Sequence, residues 1–226
     1  MWQFMKDKIK VVEVFHSIEG EGKRAGQLVN FVRLAGCNLR CSYCDTSYAT
    51  SRNDGEWWNI EELADRASYG SRRVTLTGGE PLLQDNAMAL IDAMLNRELE
   101  INIETNGSIP LDMVIAKFGA GSSFVTMDVK SPSSGMKLFN RIDNLYILRP
   151  NDVAKFVVGS KEDLAYMDDI MRPFEFNPKF HWYISPVWGQ IDMQDIVQHM
   201  KEHRYWNAKI QVQMHKIIWN PEQRGV

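Results

Sequence analysis

The sequence predicts an α/β fold, an open partial TIM-type barrel built from about six strand–helix repeats. Short runs rich in β-branched and aromatic residues alternate with amphipathic segments along the 226 residues, which indicates βαβ units and a parallel sheet. About six repeats are fewer than the eight that close a full barrel. The glycine-rich and polar segments also follow predicted strands, where parallel α/β folds bind their ligands.

Each predicted strand or helix follows from a pattern in its local sequence. Strands are expected where β-branched and aromatic residues cluster, and helices where apolar residues recur on one face. Asn59 is a predicted helix N-cap, with Glu62 three residues later. The predicted strands are 11–15, 28–34, 73–76, 101–105, 124–128, 155–158, 182–185 and 210–213, and the predicted helices are 60–69, 85–97, 111–118, 162–171 and 193–201.

Composition limits the classes of function. The net charge of −3 argues against a nucleic-acid-binding protein, and the sequence has no polybasic segment that would bind a membrane surface. The first residues lack the pattern of a signal peptide, and no apolar run approaches a membrane span. We found no repeats or linker, so we expect one domain over residues 1–226 and a cytoplasmic location.

All three cysteines lie within eight residues, at Cys37, Cys41 and Cys44. An odd number of thiols so close together suits metal ligands better than disulfides. Bound to a 4Fe-4S cluster, they would leave one iron open, as in a catalytic site. A Cys3His zinc site and an electron-transfer ferredoxin are the alternatives, although a ferredoxin normally supplies a fourth cysteine. The C-x3-C-x2-C spacing resembles that of the radical S-adenosylmethionine (SAM) superfamily.

A second motif, Thr77-Gly78-Gly79-Glu80-Pro81, follows the predicted strand 73–76. Its glycines allow a ligand close to the backbone, and proline suits the first position of a helix. The motif resembles the radical SAM segment that receives the ammonium of SAM, although a plain strand-to-helix turn explains it as well. The polar run Glu104-Thr105-Asn106-Gly107 ends the next strand and is either a ligand contact or a turn.

The N-terminal run Phe15-His16-Ser17-Ile18-Glu19-Gly20-Glu21-Gly22, followed by Phe31-Val32-Arg33, narrows the resemblance. Together with Cys44-Asp45-Thr46 and His215-Lys216-Ile217, it resembles the 7-carboxy-7-deazaguanine synthase family of the queuosine and archaeosine pathway nearly from end to end. This resemblance implies a lyase that converts 6-carboxy-5,6,7,8-tetrahydropterin to 7-carboxy-7-deazaguanine and releases ammonia. It also implies a 4Fe-4S cluster, SAM used catalytically, Mg²⁺, and a site closed by the C-terminal tail.

The resemblance assigns roles to individual positions. The cluster would be held by Cys37, Cys41 and Cys44, and Mg²⁺ by Thr46. SAM would be contacted by Tyr43, Cys44, Asp45, Gly79, Glu80, Ser131, Pro132, Ser133, Ser185, Pro186, Val187 and Trp188. The substrate would be lined by Ile18, Glu19, Gly20, Arg33, Thr77, His215 and Val226. From its chemistry alone, Arg33 at the end of an apolar strand suits a carboxylate as a bidentate partner.

Two positions depart from the family pattern, because Glu19 stands where many relatives have glutamine and Ser133 where many have lysine. The family also implies a homodimer and an electron donor such as flavodoxin or ferredoxin.

Two rival functions remain open on the sequence. One is a glycyl-radical-activating radical SAM enzyme, which would need a surface for a large protein partner. The other is a non-catalytic iron–sulfur or zinc protein, which would have no use for the segment 77–81.

Overall fold

Nine strands form one sheet in the computed structural model, which describes residues 7–174 and 179–226. The strands are β1 (Lys8–Ile18), β2 (Leu28–Leu34), β3 (Glu56–Asn59), β4 (Arg73–Gly78), β5 (Glu100–Thr105), β6 (Phe124–Val129), β7 (Val153–Val158), β8 (His181–Pro186) and β9 (Ala208–Ile210). Their order is β3-β1-β2-β4-β5-β6-β7-β8-β9.

The sheet is a partial barrel with two free edges. From β2 through β9 every neighbouring pair is parallel, whereas β1 runs antiparallel to both β2 and β3. Because β3 and β9 lie at opposite ends of the strand order, the barrel stays open. The predicted open α/β barrel is therefore confirmed.

In the described part of the chain, seven α-helices connect and flank the strands: α1 (Ile60–Ala67), α2 (Ala87–Leu95), α3 (Asp112–Phe118), α4 (Asp143–Ile147), α5 (Lys161–Met171), α6 (Met193–Glu202) and α7 (Met214–Ile218). The predicted cap of α1 is confirmed, since the Asn59 side chain accepts hydrogen bonds from the backbone N–H groups of Glu61 and Glu62. None of the helices in the described ranges is both long and apolar enough to cross a membrane.

Alternation along the strands separates a packed face from a polar one. On β4, Val74 and Leu76 join the buried apolar cluster that also contains Leu90 of α2. Successive side chains of a strand point to opposite faces, so Thr75 and Thr77 point away from that cluster. The strand sequence therefore builds an apolar layer under the helices and a polar barrel interior.

The loop after β1, residues 19–26, closes the amino end of the barrel, and we call it the floor loop. Lys23 Nζ bonds the carbonyl of Asn151, just before β7, at 2.9 Å, and Arg24 Nη1 bonds the carbonyl of Glu100, the first residue of β5, at 3.0 Å. The Arg24 guanidinium also lies 4.9 Å from the ring centroid of Phe124, the first residue of β6. Ligands must therefore enter elsewhere.

Several predicted boundaries were wrong. β1 begins at residue 8 rather than 11 because its first residues pair with β3, a short edge strand that the sequence did not reveal. The last strand ends at Ile210 rather than Gln213, because the chain turns there into α7. Pro81 opens a 3-10 turn over Pro81–Leu83, and α2 begins only at Ala87. The short helices α4 and α7 carry too few periodic residues to be predicted.

Candidate active site

The cysteine loop, residues 36–46, spans the carboxyl end of the barrel. It starts after β2, where the Gly36 N–H bonds the carbonyl of Ala49 at 2.9 Å. Farther along, the Ser42 N–H bonds the carbonyl of Ser134 at 3.1 Å, on the turn after β6. Between these points, Asn38 Nδ2 bonds the Ser108 hydroxyl at 2.8 Å, after β5. The loop is therefore attached by hydrogen bonds near the ends of β2, β5 and β6.

The three cysteines are free thiols that suit a shared iron–sulfur cluster. Cys37 and Cys41 are half-buried and Cys44 is exposed. Burial raises the pKa of Cys41, although the Lys130 ammonium acts in the opposite direction. The N–H of Leu39 and the amide of Asn106 lie 3.4 Å and 3.8 Å from Cys37 Sγ, respectively, and such donors favour a thiolate ligand. The donor set therefore fits a cluster held by three cysteines.

Gly79 and Glu80 join the cysteine loop to the end of β5. A Cβ at Gly79 would lie 2.4 Å from the carbonyl oxygen of Gly36, so a larger side chain would push the two segments apart. The Glu80 carboxylate is fully buried and accepts bonds from the Asn106 N–H at 2.7 Å and from the Thr105 hydroxyl at 2.9 Å and 3.0 Å. Burial outweighs these bonds and raises the pKa of Glu80 to about 7. Contact of Glu80 with SAM stays a prediction, because protein donors occupy its carboxylate.

The other predicted SAM contacts lie together at the carboxyl ends of β6, β7 and β8. The hydroxyls of Tyr43 and Ser131 both donate to the carbonyl of Val157 near the end of β7. The Ser185 hydroxyl, at the end of β8, accepts a bond from Gln211 Nε2 at 2.9 Å. The turn Pro132–Ser134 follows β6, while Pro186, Val187 and a half-exposed Trp188 continue from β8. These residues therefore form one continuous rim.

Ser133 stands where a relative's lysine would place a cation, and the structure supplies another cation nearby. Ser133 is held by Asp163, which accepts a bond from its backbone N–H at 2.8 Å, and by the Ser160 hydroxyl at 3.2 Å. Lys130, three residues earlier, pairs with Asp128 at 2.7 Å and is close enough to lower the pKa of Tyr43 against the effect of burial. A cation that is ion-paired with Asp128 therefore lies close to the rim.

Arg33 is positioned by a partner that the sequence did not identify. Its Nε donates to Glu13 at 2.6 Å, and the Tyr48 hydroxyl donates to the same carboxylate oxygen at 2.9 Å. The guanidinium lies 5.9 Å from the ring centroids of both Phe15 and Tyr48. Only Nε takes part in a hydrogen bond within the described part of the chain, which leaves the terminal nitrogens for another acceptor.

A buried ion network lines the interior beneath the loop. Lys155 on β7 bonds Glu21 of the floor loop at 2.8 Å and lies 3.3 Å from Asp128 on β6. Glu104 on β5 accepts the Thr77 hydroxyl at 3.2 Å, and burial raises its pKa despite the nearby Lys155. Sequence reasoning missed Lys155 and Asp128. The available signal was a lysine inside the otherwise apolar strand Val153–Val158.

Two predicted substrate residues lie in the floor loop, directly after Ile18 at the end of β1. Glu19 is 2% exposed and accepts a hydrogen bond from the Thr75 hydroxyl on β4. Burial, reinforced by the charge of Glu104, raises the pKa of Glu19 to about 8, so this carboxyl is protonated near neutral pH. Gly20 is buried against the C-terminal tail, and a Cβ there would lie 2.1 Å from His215 Nδ1.

The C-terminal tail, residues 211–226, connects the floor loop to the cysteine loop. The Met214 N–H bonds the carbonyl of Gly20 at 3.0 Å, and Lys216 Nζ lies 3.3 Å from the Asp45 carboxylate. Arg224 then stacks 3.9 Å from the ring centroid of Tyr48. Burial lowers the pKa of His215 and keeps its imidazole neutral. Val226 is half-buried, and a contact of its carboxylate with substrate stays a prediction.

Thr46 is placed for a role other than helix capping. It precedes the 3-10 turn Ser47–Ala49 but makes no side-chain capping bond. Its hydroxyl instead donates to Asp45 Oδ1 at 3.0 Å. Partial desolvation of the half-exposed Asp45 side chain opposes its ionisation, but Lys216 and this hydroxyl more than offset it, so the pKa of Asp45 lies below its usual value. A hydroxyl beside a carboxylate matches the hard oxygen ligands that Mg²⁺ prefers.

Comparisons with known proteins identify the family. The Radical SAM superfamily model matches residues 31–157. A 7-carboxy-7-deazaguanine synthase from Clostridium acetobutylicum is 46% identical over 220 residues, which cover 96% of this chain and 99% of that protein. Another, from Methanospirillum hungatei, is 39% identical over 215 residues, covering 94% and 86%, respectively.

The fold has a solved counterpart in the crystal structure of QueE from Escherichia coli. It superposes with a TM-score of 0.69 over 90% of this chain and 94% of that one, at 21% identity. Membership of the radical SAM superfamily gives this chain a 4Fe-4S cluster and SAM as cofactors. The matches favour the synthase family over the two alternatives, a glycyl-radical-activating enzyme and a non-catalytic iron–sulfur or zinc protein. The three-cysteine loop, the interior beneath it and these near full-length matches agree, and the chain belongs to the 7-carboxy-7-deazaguanine synthase family of the radical SAM superfamily.

Proposed function

We propose that this chain converts 6-carboxy-5,6,7,8-tetrahydropterin to 7-carboxy-7-deazaguanine with release of ammonia, in a single domain and with Mg²⁺ as activator. The observation that carries the proposal is Arg33, at the barrel end where the cysteine loop starts, whose terminal guanidinium nitrogens make no hydrogen bond to residues 7–174 or 179–226. A planar guanidinium is the side chain best suited to a substrate carboxylate.

Cys37, Cys41 and Cys44 would hold the 4Fe-4S cluster, and the rim from Ser131 to Trp188 would hold SAM. Together these two cofactors supply the radical chemistry that abstracts hydrogen from the substrate. The protein's own contribution is to exclude water and to fix orientation. The floor loop seals one end of the barrel, and the tail covers Gly20 and Asp45.

The side chains proposed to face the substrate can donate or accept hydrogen bonds. Glu19 carries a proton that can be donated to a ring nitrogen or carbonyl of the pterin, because its pKa is raised to about 8. Thr77 and Glu104 form a hydrogen-bonded pair on the adjacent strands β4 and β5. Thr46 and Asp45 would bind Mg²⁺. Substrate oxygens and water would complete its octahedral coordination shell, because two protein ligands leave most of that shell open.

Three further expectations complete the proposal. The reductant is a small acidic electron carrier such as flavodoxin or ferredoxin, and it docks near Cys44, the most exposed of the three cysteines. The working enzyme is a homodimer. It acts in the cytoplasm, where a cluster with an open iron is protected from oxidation.

The direct test is an anaerobic incubation of the reconstituted protein with 6-carboxytetrahydropterin, SAM, Mg²⁺ and dithionite, followed by chromatography with mass detection. We expect 7-carboxy-7-deazaguanine and about four irons per chain. Cys41→Ala should lose both the cluster and the product. A protein that holds the full cluster and binds SAM but forms no product would refute the proposed substrate.

Arg33→Lys tests the carboxylate-binding role. Lysine keeps the charge but loses the planar fork, so we expect the KM for the carboxytetrahydropterin to rise at least about tenfold, while cluster content stays unchanged. Lys10→Arg provides a control at the surface of β1. An unchanged KM in Arg33→Lys would show that Arg33 only braces Glu13.

A further inference from the structure

A second cluster of metal-ligating side chains joins α5 to α6, outside the barrel interior. Asp168 lies on α5, His199 lies on α6, and His203 is the C-cap residue directly after α6. His199 Nε2 lies 2.8 Å from Asp168 Oδ1, and His203 Nδ1 lies 3.3 Å from Asp168 Oδ2. One ligand atom from each of the three residues lies within 4.8 Å of the other two.

Helix geometry explains why the two imidazoles share a target. His199 and His203 are four residues apart, so they project from the same face of α6. Their rings stack at 4.0 Å between centroids with planes 19° apart. Two protonated imidazoles at that separation would repel each other, whereas neutral imidazoles are common metal ligands.

The surroundings of Asp168 resemble the outer shell of a metal site. The Tyr205 hydroxyl donates to Asp168 Oδ1 at 2.5 Å, and such a bond orients a ligating carboxylate. The side chains of Asp168 and His199 are 15% and 17% exposed, whereas His203 is 40% exposed. The cluster is therefore enclosed on the side of α5 and open to solvent at His203.

We propose that Asp168, His199 and His203 bind a divalent transition metal of the zinc type, with water as the fourth ligand. Two nitrogens and one carboxylate oxygen match the protein ligands of four-coordinate Zn²⁺ sites that are completed by water, and a single protein oxygen is too few for Mg²⁺ or Ca²⁺. Bound metal would fasten α6 to α5. This inference is independent of the proposed function, since none of the three residues contributes to the active site.

The test uses tag-free enzyme with its iron–sulfur cluster reconstituted, so that the three cysteines are occupied. Equilibrium dialysis against Zn²⁺ should give about one zinc per chain beyond the cluster iron. Co²⁺ bound in its place should show ligand-field bands without thiolate charge transfer, because the donors are nitrogen and oxygen. In His199→Asn and His203→Asn the zinc affinity should fall at least about tenfold.

Matched controls distinguish a metal site from a cluster of side chains that only forms hydrogen bonds between α5 and α6. His181→Asn removes an imidazole from the start of β8 and should bind zinc as the parent does. Zinc should raise the melting temperature of the parent by a few degrees and leave that of His203→Asn unchanged, while both proteins melt alike in chelator. Absence of zinc beyond the cluster, or a zinc affinity in the two histidine variants equal to that of the parent, would overturn the proposal.

Discussion

Glu19 is a carboxyl group that the fold holds away from water, and its proton links stability to pH. It is 2% exposed and its pKa is raised to about 8, whereas in the unfolded chain it titrates near 4.5. Between these values the folded state holds a proton that the unfolded state releases. The contribution of Glu19 to stability is therefore complete below pH 4.5 and is lost as the pH rises toward 8.

Glu19→Gln should remove this dependence, because glutamine keeps the shape and cannot ionise. We expect the variant to match the parent near pH 6 more closely than at pH 8.5, where it should be more stable by about 2 kcal/mol. Thermal unfolding of the holoenzyme at several pH values measures the difference. Glu56→Gln, on the exposed edge strand β3, is the control. A variant with the parent's pH slope would show that another group titrates.

Thr46 gives the sharpest test of the metal at the active site. Its hydroxyl bonds Asp45 and makes no capping bond. Thr46→Val keeps the shape and removes the ligand oxygen, so Mg²⁺ activation of turnover should fall severalfold while iron content stays unchanged. Thr50→Val, at the end of the same turn, is the control. An unchanged Mg²⁺ response in Thr46→Val would remove Thr46 from the metal site.

The short helix α7 is attached to the rest of the protein without burying any of its residues. It has five residues, and it is held through polar contacts such as the pair of Lys216 with Asp45. A helix this short does not persist on its own. Its position therefore depends on the floor loop and the cysteine loop that it joins.

Lys216→Ala should loosen that attachment without unfolding the barrel. The pair is half-exposed on the Asp45 side, and such pairs contribute at most about 1 kcal/mol. We expect the KM for substrate to rise about two- to fivefold and the cluster to remain intact. Lys201→Ala on α6 is the control, and steady-state kinetics give the split between KM and kcat. Equal KM values in both variants would mean that the tail does not close the site.

From the sequence, the loops that bear the candidate site residues were easier to predict than the individual side-chain pairs that hold those residues in place. Strand alternation and the loops that follow the strands placed the cysteines, Gly79 and Ser131 at one end of the barrel. The link between Arg33 and Glu13 was not predictable, because the β1–β2 register shifts between Val11 and Glu13. The pairing of Lys216 with Asp45 spans most of the chain and leaves no local pattern.

At the scale of the whole molecule, the barrel interior is held by ions as well as by apolar packing. Lys155 lies between Glu21 and Asp128, and together these groups connect the floor loop to β6 and β7. Opposite charges raise the pKa of Lys155 well above its usual value despite burial. Removal of this one cation would take away the ion-pair partner of the enclosed Glu21 and leave Asp128 paired with Lys130.

Lys155→Met should therefore destabilise the folded protein by about 3–5 kcal/mol, since a broken buried pair leaves uncompensated charge. Adding Glu21→Gln to that variant should recover part of the loss, because Asp128 keeps Lys130 as a partner. Lys137→Met, on the turn after β6, is the control. Thermal unfolding of all four proteins measures the effect. A loss below about 1 kcal/mol in Lys155→Met would contradict a structural role for the network.

The tail holds the predicted substrate side of the site and also touches the predicted SAM side, through Gln211 with Ser185 and Lys216 with Asp45. Gly20, a predicted substrate residue, is buried against His215 of α7, whereas most predicted SAM contacts lie at the carboxyl ends of β6 and β8. Displacement of α7 should then uncover Gly20 and release Asp45, while those strand ends keep their positions. A cofactor restored in every cycle gains from such an arrangement, because it need not be rebound. Isotope-labelled SAM bound before the reaction should remain on the enzyme through many turnovers. Rapid exchange with unlabelled SAM would show that SAM and product leave the enzyme together.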